Sequence, residues 1–207
     1  MRAILVTLTL LVLPLAASAE PVQVVAFGDS LTAGYGLDPG ESYPEKLESA
    51  LEADGLDVDI QNAGVSGDTS TAAAQRLGWA VPDGTDAVIV ALGGNDLLRG
   101  IDPDVTRKAL TAIVDDLTGR GISVLLAGMR APANLGDDYV TRFEAIFADL
   151  GARDGVILMP FFLDGVATDA RLNQSDGIHP NEAGVKVIVG NIQPFAVQLI
   201  EQVEKSG

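Results

Sequence analysis

Five short apolar runs punctuate the chain: VQVVAF at 22–27, VDIQNA at 58–63, AVIVALG at 87–93, SVLLAG at 123–128 and VILMPF at 156–161. Runs this short, rich in β-branched residues and nearly unbroken, have the pattern of parallel strands covered on both faces. Between them the apolar period changes. Tyr43, Leu47 and Leu51 recur every four residues, as do Ala109, Ile113 and Leu117, while Tyr139, Phe143, Ile146, Phe147 and Leu150 form a wider stripe. Each spacing puts one apolar face on a helix. A last helical stretch begins near Asn181, and Pro194 is expected to kink or split it because proline cannot donate the helical hydrogen bond. Strand–helix alternation with such connections predicts an α/β fold: a five-stranded parallel sheet with helices on both faces. Ligands of these sheets sit beyond the carboxyl ends of the strands, at the switch in strand order. The residues at those ends are therefore the ones to read for chemistry.

The first nineteen residues stand apart from this pattern. Arg2 opens a short positive start, an apolar run follows from Ala3 to Leu15, and Ala17-Ser18-Ala19 precedes Glu20. This order predicts a signal peptide over 1–19, cleaved after Ala19, and a single mature domain over 20–207. The apolar run is too short to span a bilayer, and no later segment is read as a spanning one. The expected product is periplasmic or secreted, without stable membrane insertion, and monomeric.

Charge and composition remove several classes of function. Thirteen Lys and Arg against twenty-nine Asp and Glu give a net charge of −16, a surface that repels nucleic acid and anionic headgroups. The chain has no cysteine, so thiol catalysis and a disulfide framework are excluded. With one histidine, His179, it cannot build the usual zinc sets.

Four strand ends carry the candidate chemistry. FGDSLTAGYG after the first run puts Ser30 directly beyond a strand. NAGVSGDTS after the second contains Gly67, whose backbone N–H can face an open site, and Asp68, a natural N-cap for the helix that follows. GGNDLLRG after the third contains Asn95, an amide donor, with Asp96 beside it to hold that amide or the loop. DGIHPNEAG after the fifth places Asp176 three residues before His179, close enough for the carboxylate to accept from the imidazole and fix its tautomer. Each motif alone also reads as ordinary turn or cap chemistry. Together, a serine, a backbone donor, an amide donor and an Asp–His pair make up an ester hydrolase.

The blocks GDSL at 28–31, GVSGDTS at 64–70, GGND at 93–96 and DGIH at 176–179 resemble the ordered blocks of the SGNH (GDSL) hydrolase superfamily. The resemblance covers Val24 to Ile200 and is strongest to its bacterial thioesterases, lysophospholipases and arylesterases. It implies a three-layer α/β/α flavodoxin-like fold and no metal or cofactor. It also implies Ser30 as nucleophile, Asp176 and His179 as its triad partners, and an oxyanion hole of Ser30 N–H, Gly67 N–H and the Asn95 side chain. One departure is Ala131, where a larger side chain usually precedes the proline of the PAN motif at 132–134. A small residue there implies extra room for the acyl group.

The loops LLRGI at 97–101 and MRAPANLG at 129–136 are expected to wall the cleft. Leu97, Leu98, Ala131, Pro132 and Ile178 are the expected substrate contacts. No long insertion that could form a lid is visible. The expected substrates are small aryl esters and short to medium acyl esters, with lysophospholipids and acyl thioesters within reach. Acyl-CoA is disfavoured because the acidic surface would repel its phosphates. A carbohydrate deacetylase is the enzymatic alternative, set against few aromatic residues for stacking on sugars. A non-catalytic binding module is the third reading.

Overall fold

The computed structural model describes residues 20–206; the expected signal segment lies outside them. Five parallel strands form one sheet in the order β2-β1-β3-β4-β5: β1 Val22–Gly28, β2 Val58–Gly64, β3 Ala87–Ala91, β4 Ser123–Ala127 and β5 Val156–Met159. β3 and β4 are buried along their whole length, as their unbroken apolar sequence requires. β2 is an edge strand, so only Val58 and Ile60 face inward while Asp59, Gln61 and Asn62 are exposed.

The connecting segments are α1 Ser30–Ala33, α2 Tyr43–Ala53, α3 Ser70–Ala80, α4 Gly94–Leu98, α5 Pro103–Gly119, α6 Asp137–Gly151 and α7 Glu182–Ser206. α2 and α7 pack together on one face of the sheet, and α3, α5 and α6 side by side on the other, giving the three layers. The apolar stripes read from the sequence are the buried ones: Leu47 and Leu51 on α2, Ile113 and Leu117 on α5, and Phe143, Ile146, Phe147 and Leu150 on α6.

Three strands end earlier than their apolar runs. Leu92-Gly93, Gly128 and Pro160-Phe161 have already left the sheet, turning the chain across its carboxyl edge. Two corrections concern helices. Pro194 does not split α7, which runs unbroken from Glu182 to Ser206. Pro194 and Gly190, whose carbonyl loses its helical donor, are both exposed to water, while Ile188, Ile192, Ala196 and Leu199 anchor both halves in the core. Residues 182–205 of α7 are also long and apolar enough, by length and composition, to cross a membrane, which the sequence reading did not count. Here that helix packs on α2, β4 and β5 as a core element.

The strand order reverses at β1, which pairs with β2 on one side and β3 on the other. The carboxyl ends of β1 and β3 thus open the crevice in which an α/β sheet binds its ligand. Gly28, the last residue of β1, lets the sheet close up there. A Cβ on it would collide with Thr32 Oγ1 and the Ala91 carbonyl, so no larger residue fits.

Candidate active site

Ser30 begins α1, two residues beyond the end of β1, after a turn fixed by Asp29. Asp29 is buried, and its Oδ1 accepts from Leu31 N at 3.0 Å, capping the short helix. Ser30 Oγ lies 2.9 Å from His179 Nε2. On the other side of the ring, His179 Nδ1 is 2.6 Å from Asp176 Oδ2. With Nδ1–H donating to the carboxylate, Nε2 carries the lone pair and accepts the serine proton.

The loop bearing the last two residues is held from both ends. Gln174 N donates to His179 O at 2.8 Å, and the Gln174 side chain donates to the Tyr35 and Pro180 carbonyls. Asn181 Nδ2 donates to Arg171 O and Asn173 O. Within the loop, Asp176 Oδ1 accepts from Ile178 N and His179 N, both at 3.0 Å. The His179 side chain and these two amides hold the Asp176 carboxyl down at about 2, so it is ionised at any working pH. The Tyr35 ring covers His179, with centroids 4.7 Å apart.

Asn95 sits in the first turn of α4, beyond β3. Its Nδ2 donates one hydrogen to Asp29 Oδ2 at 3.2 Å, which leaves the second free to point elsewhere. The amide holder is therefore Asp29; of the two roles the sequence left open for Asp96, the amide or the loop, the fold uses the second. Asp96 is fully buried and ties the loop instead, accepting from Ser70 N, Ser70 Oγ and Thr106 Oγ1. Burial pushes the Asp29 carboxyl up to about 6, against the stabilising bonds from Leu31 and Asn95 and the nearby His179.

Gly67 stands on the exposed loop after β2 with φ of +87°, a conformation that suits glycine. Arg99 Nη2 donates to its carbonyl at 2.7 Å, pinning the loop from α4. No acceptor for Ser30 N–H or Gly67 N–H is found among the described residues. The N-cap of α3 is Thr69, whose side chain accepts from Ala72 N, and Asp68 is used otherwise. Asp68 pairs with buried Arg76 at 2.5 Å, and Arg76 in turn donates to Gly28 O at 2.8 Å, linking this loop to the end of β1.

Ser30, Asn95 and His179 open on one cavity of about 420 Å³, a size suited to a small molecule. Leu97, Leu98, Pro132 and Ile178 line it. Ala131 does not line it: the flanking Arg130 and Pro132 face the cavity, and Ala131 packs against the core instead. Gly67 is not part of the lining either.

Several lining residues escaped the sequence reading. Phe161 follows β5 and was open to the same strand-end logic that found Ser30. Met129 and Arg130 lie within a loop that was read as a wall without being singled out. Thr168, the one non-glycine residue with positive φ among the described residues, carries no sequence signal at all.

A serine hydroxyl hydrogen-bonded to an imidazole that a carboxylate orients, beside free N–H donors and an apolar cavity, is equipment for acyl transfer, and the class it defines is the carboxylic ester hydrolases. The chain belongs to the GDSL-like Lipase/Acylhydrolase family, which residues 26–187 match. It is 36% identical over 203 residues to Esterase TesA of Pseudomonas aeruginosa, covering 97% of this chain and 100% of the relative. An Arylesterase of Vibrio mimicus is also 36% identical, over 90% of each chain. Among solved structures, the SGNH-hydrolase family esterase AlinE4 superposes with a TM-score of 0.74 at 46% identity, covering 88% of this chain and 98% of that one.

Proposed function

We propose that this enzyme hydrolyses carboxylic esters through an acyl-serine at Ser30. The observation that carries the reading is the hydrogen-bonded line Ser30 Oγ–His179–Asp176, at 2.9 and 2.6 Å. His179 takes the proton as Ser30 Oγ attacks the carbonyl carbon. The carbonyl π bond moves onto oxygen, and the oxyanion meets Ser30 N–H, Gly67 N–H and the free hydrogen of Asn95 Nδ2. Asp176, ionised throughout, stabilises the imidazolium. The tetrahedral centre collapses, the ester C–O bond breaks, and His179 protonates the departing alcohol. Water then attacks the acyl-enzyme with His179 again as base, releasing acid and free Ser30.

The lining supports aryl and short to medium acyl esters as substrates, with acyl thioesters and lysophospholipids in the same range. Leu98 and Ile178 are large, exposed and on the rim of the cavity, a placement that offers an acyl chain apolar contact without a lid. We further propose that the chain is exported, cleaved after Ala19 and active as a monomer; the positive, apolar and small-residue order of 2–19 supports export. A fluorophosphonate probe should label Ser30, and a p-nitrophenyl acyl series with lysophosphatidylcholine and acetylated xylan should rank the substrates. Preference for acetylated xylan would favour a carbohydrate deacetylase instead.

A further inference from the structure

The arginines of this acidic protein are distributed in a telling way. Among the described residues, Arg76, Arg107, Arg120, Arg142, Arg153 and Arg171 each pair with at least one aspartate. Two arginines do not, Arg99 and Arg130, and only Arg130 lines the candidate active site. Arg99 is committed to the Gly67 carbonyl. Arg130 lines the cavity together with Ser30 and His179, and it is exposed. Its guanidinium is held over the Phe161 ring, 5.1 Å from the centroid. That contact orients the cation through its flat face and consumes none of its five N–H donors. Glu144 shares a neighbouring groove with Arg130 but makes no ion pair with it. The other acids at the cavity are already committed, Asp29 to Leu31 and Asn95, and Asp176 to His179.

A chain with twenty-nine acidic residues had ample carboxylate to neutralise Arg130 and has not done so. An oriented, unpaired guanidinium in the wall of a binding cavity has the geometry for a bidentate bond to carboxylate or phosphate. We propose that Arg130 is a specificity-determining residue which selects esters carrying a negative charge near the scissile carbonyl. The proposal rests on the serine esterase reading and names its substrate class. It runs against the repulsion expected from the net charge, because a local cation in a cleft outweighs distant surface charges that salt screens.

The test is a pair of matched comparisons by kcat/KM. For charge on the acyl side, the p-nitrophenyl monoester of glutaric acid is compared with p-nitrophenyl valerate. For charge on the alcohol side, a lysophosphatidate is compared with the monoacylglycerol of the same chain. In at least one comparison, Arg130→Gln should lower the charged-to-neutral ratio about 10-fold or more, the worth of a charge-assisted hydrogen bond. Arg130→Lys should retain part of the ratio. High salt should lower the wild-type ratio in that same comparison, a readout that holds even if Arg130→Gln is poorly folded. Which comparison responds tells acyl carboxylate from headgroup phosphate. Ratios unmoved by Arg130→Gln and by salt in both comparisons would overturn the proposal while leaving the esterase reading intact. Failure of wild type to cleave any ester, charged or neutral, would overturn both.

Discussion

The side-chain amide of Asn95 is oriented by Asp29, a buried carboxylate next to the serine in sequence and 3.2 Å from the amide nitrogen. The residue adjoining Ser30 thereby aims a donor that arrives from another strand. One Asp29 oxygen caps α1 and the other holds Asn95, so a single carboxylate sets two parts of the site. Asp29→Asn keeps the shape but offers only one acceptor oxygen. We expect kcat to fall about 10-fold or more, with KM much less affected, as for loss of a donor's alignment in the transition state. Asn95→Ala, which removes the donor itself, should cost about 10²–10³ in kcat. Steady-state kinetics on one p-nitrophenyl ester measure both, and a change confined to KM would make these residues substrate contacts.

Asp29 and Asp176 should give stability opposite dependences on pH. Burial raises the Asp29 pKa from an ordinary 3.8 to about 6, so the folded state holds its proton where the unfolded chain has lost it. Stability contributed by protonated Asp29 is therefore lost as pH rises from about 4 to about 6. Asp176 is lowered to about 2 by its bonds to His179 and Ile178, so its contribution is present above about 4 and lost as pH falls toward 2. Urea midpoints measured across this range for wild type, Asp29→Asn and Asp176→Asn would show it. Relative to wild type, Asp29→Asn should gain as pH rises, and Asp176→Asn should gain as pH falls. Parallel curves for all three proteins would contradict both shifts.

Ser30→Ala should abolish turnover, by about 10⁴ or more, without loss of fold. The hydroxyl's recorded hydrogen bond is to His179, and no core contact depends on it. Circular dichroism and a thermal midpoint near wild type, with no labelling by a fluorophosphonate, are the expected results. Turnover near the wild-type rate would exclude a nucleophilic Ser30.

The layers and the strand ends were legible in the sequence for a physical reason. A parallel sheet covered on both faces needs unbroken apolar strands, and helices packed on it need one apolar stripe each, so both leave a periodic trace. The Asp176–His179 pair was legible because its members are three residues apart on one loop. Partners brought together only by the fold left no such trace. Asp29 is 66 residues from Asn95, and Arg99 is 32 from Gly67. A periodic pattern says nothing about which loop residue will meet which. Asp68 misled for a related reason: its composition suits a cap, but Arg76, eight residues on, claims it.

The acid limb of the pH–activity profile should carry two ionisations. His179 must be neutral to accept the Ser30 proton, so kcat/KM falls as the imidazole protonates. Asp29 protonates at about 6 and then presents one fewer oxygen to Leu31 and Asn95, a second loss in the same direction. Protonation of Asp29 at about 6 should thus add its own fall in kcat/KM to that of the base, so the wild-type limb should not fit a single ionisation. In Asp29→Asn the limb should return to a single ionisation. A single ionisation already in wild type would mean that protonated Asp29 holds Asn95 equally well.

Ala131 offers the sharpest contrast between a reading by position and one by packing. Its place before the proline of the PAN motif suggests a gap in the acyl pocket that a larger residue would fill. In the fold, Arg130 and Pro132 face the cavity while Ala131 is half-buried against the core. Ala131→Leu should therefore press three additional carbons into packed side chains. The expected cost is about 1–3 kcal/mol of stability, as for other overpacked sites. Acyl preference should change little, because one or two methylenes alter selectivity only when they touch the substrate. The measurements are the urea midpoint and the kcat/KM ratio between benzoyl and octanoyl esters of one leaving group. A lower midpoint with an unchanged ratio is the expected result. A ratio shifted about 10-fold, the scale of a methylene contact in a pocket, at an unchanged midpoint would put residue 131 in contact with the acyl group.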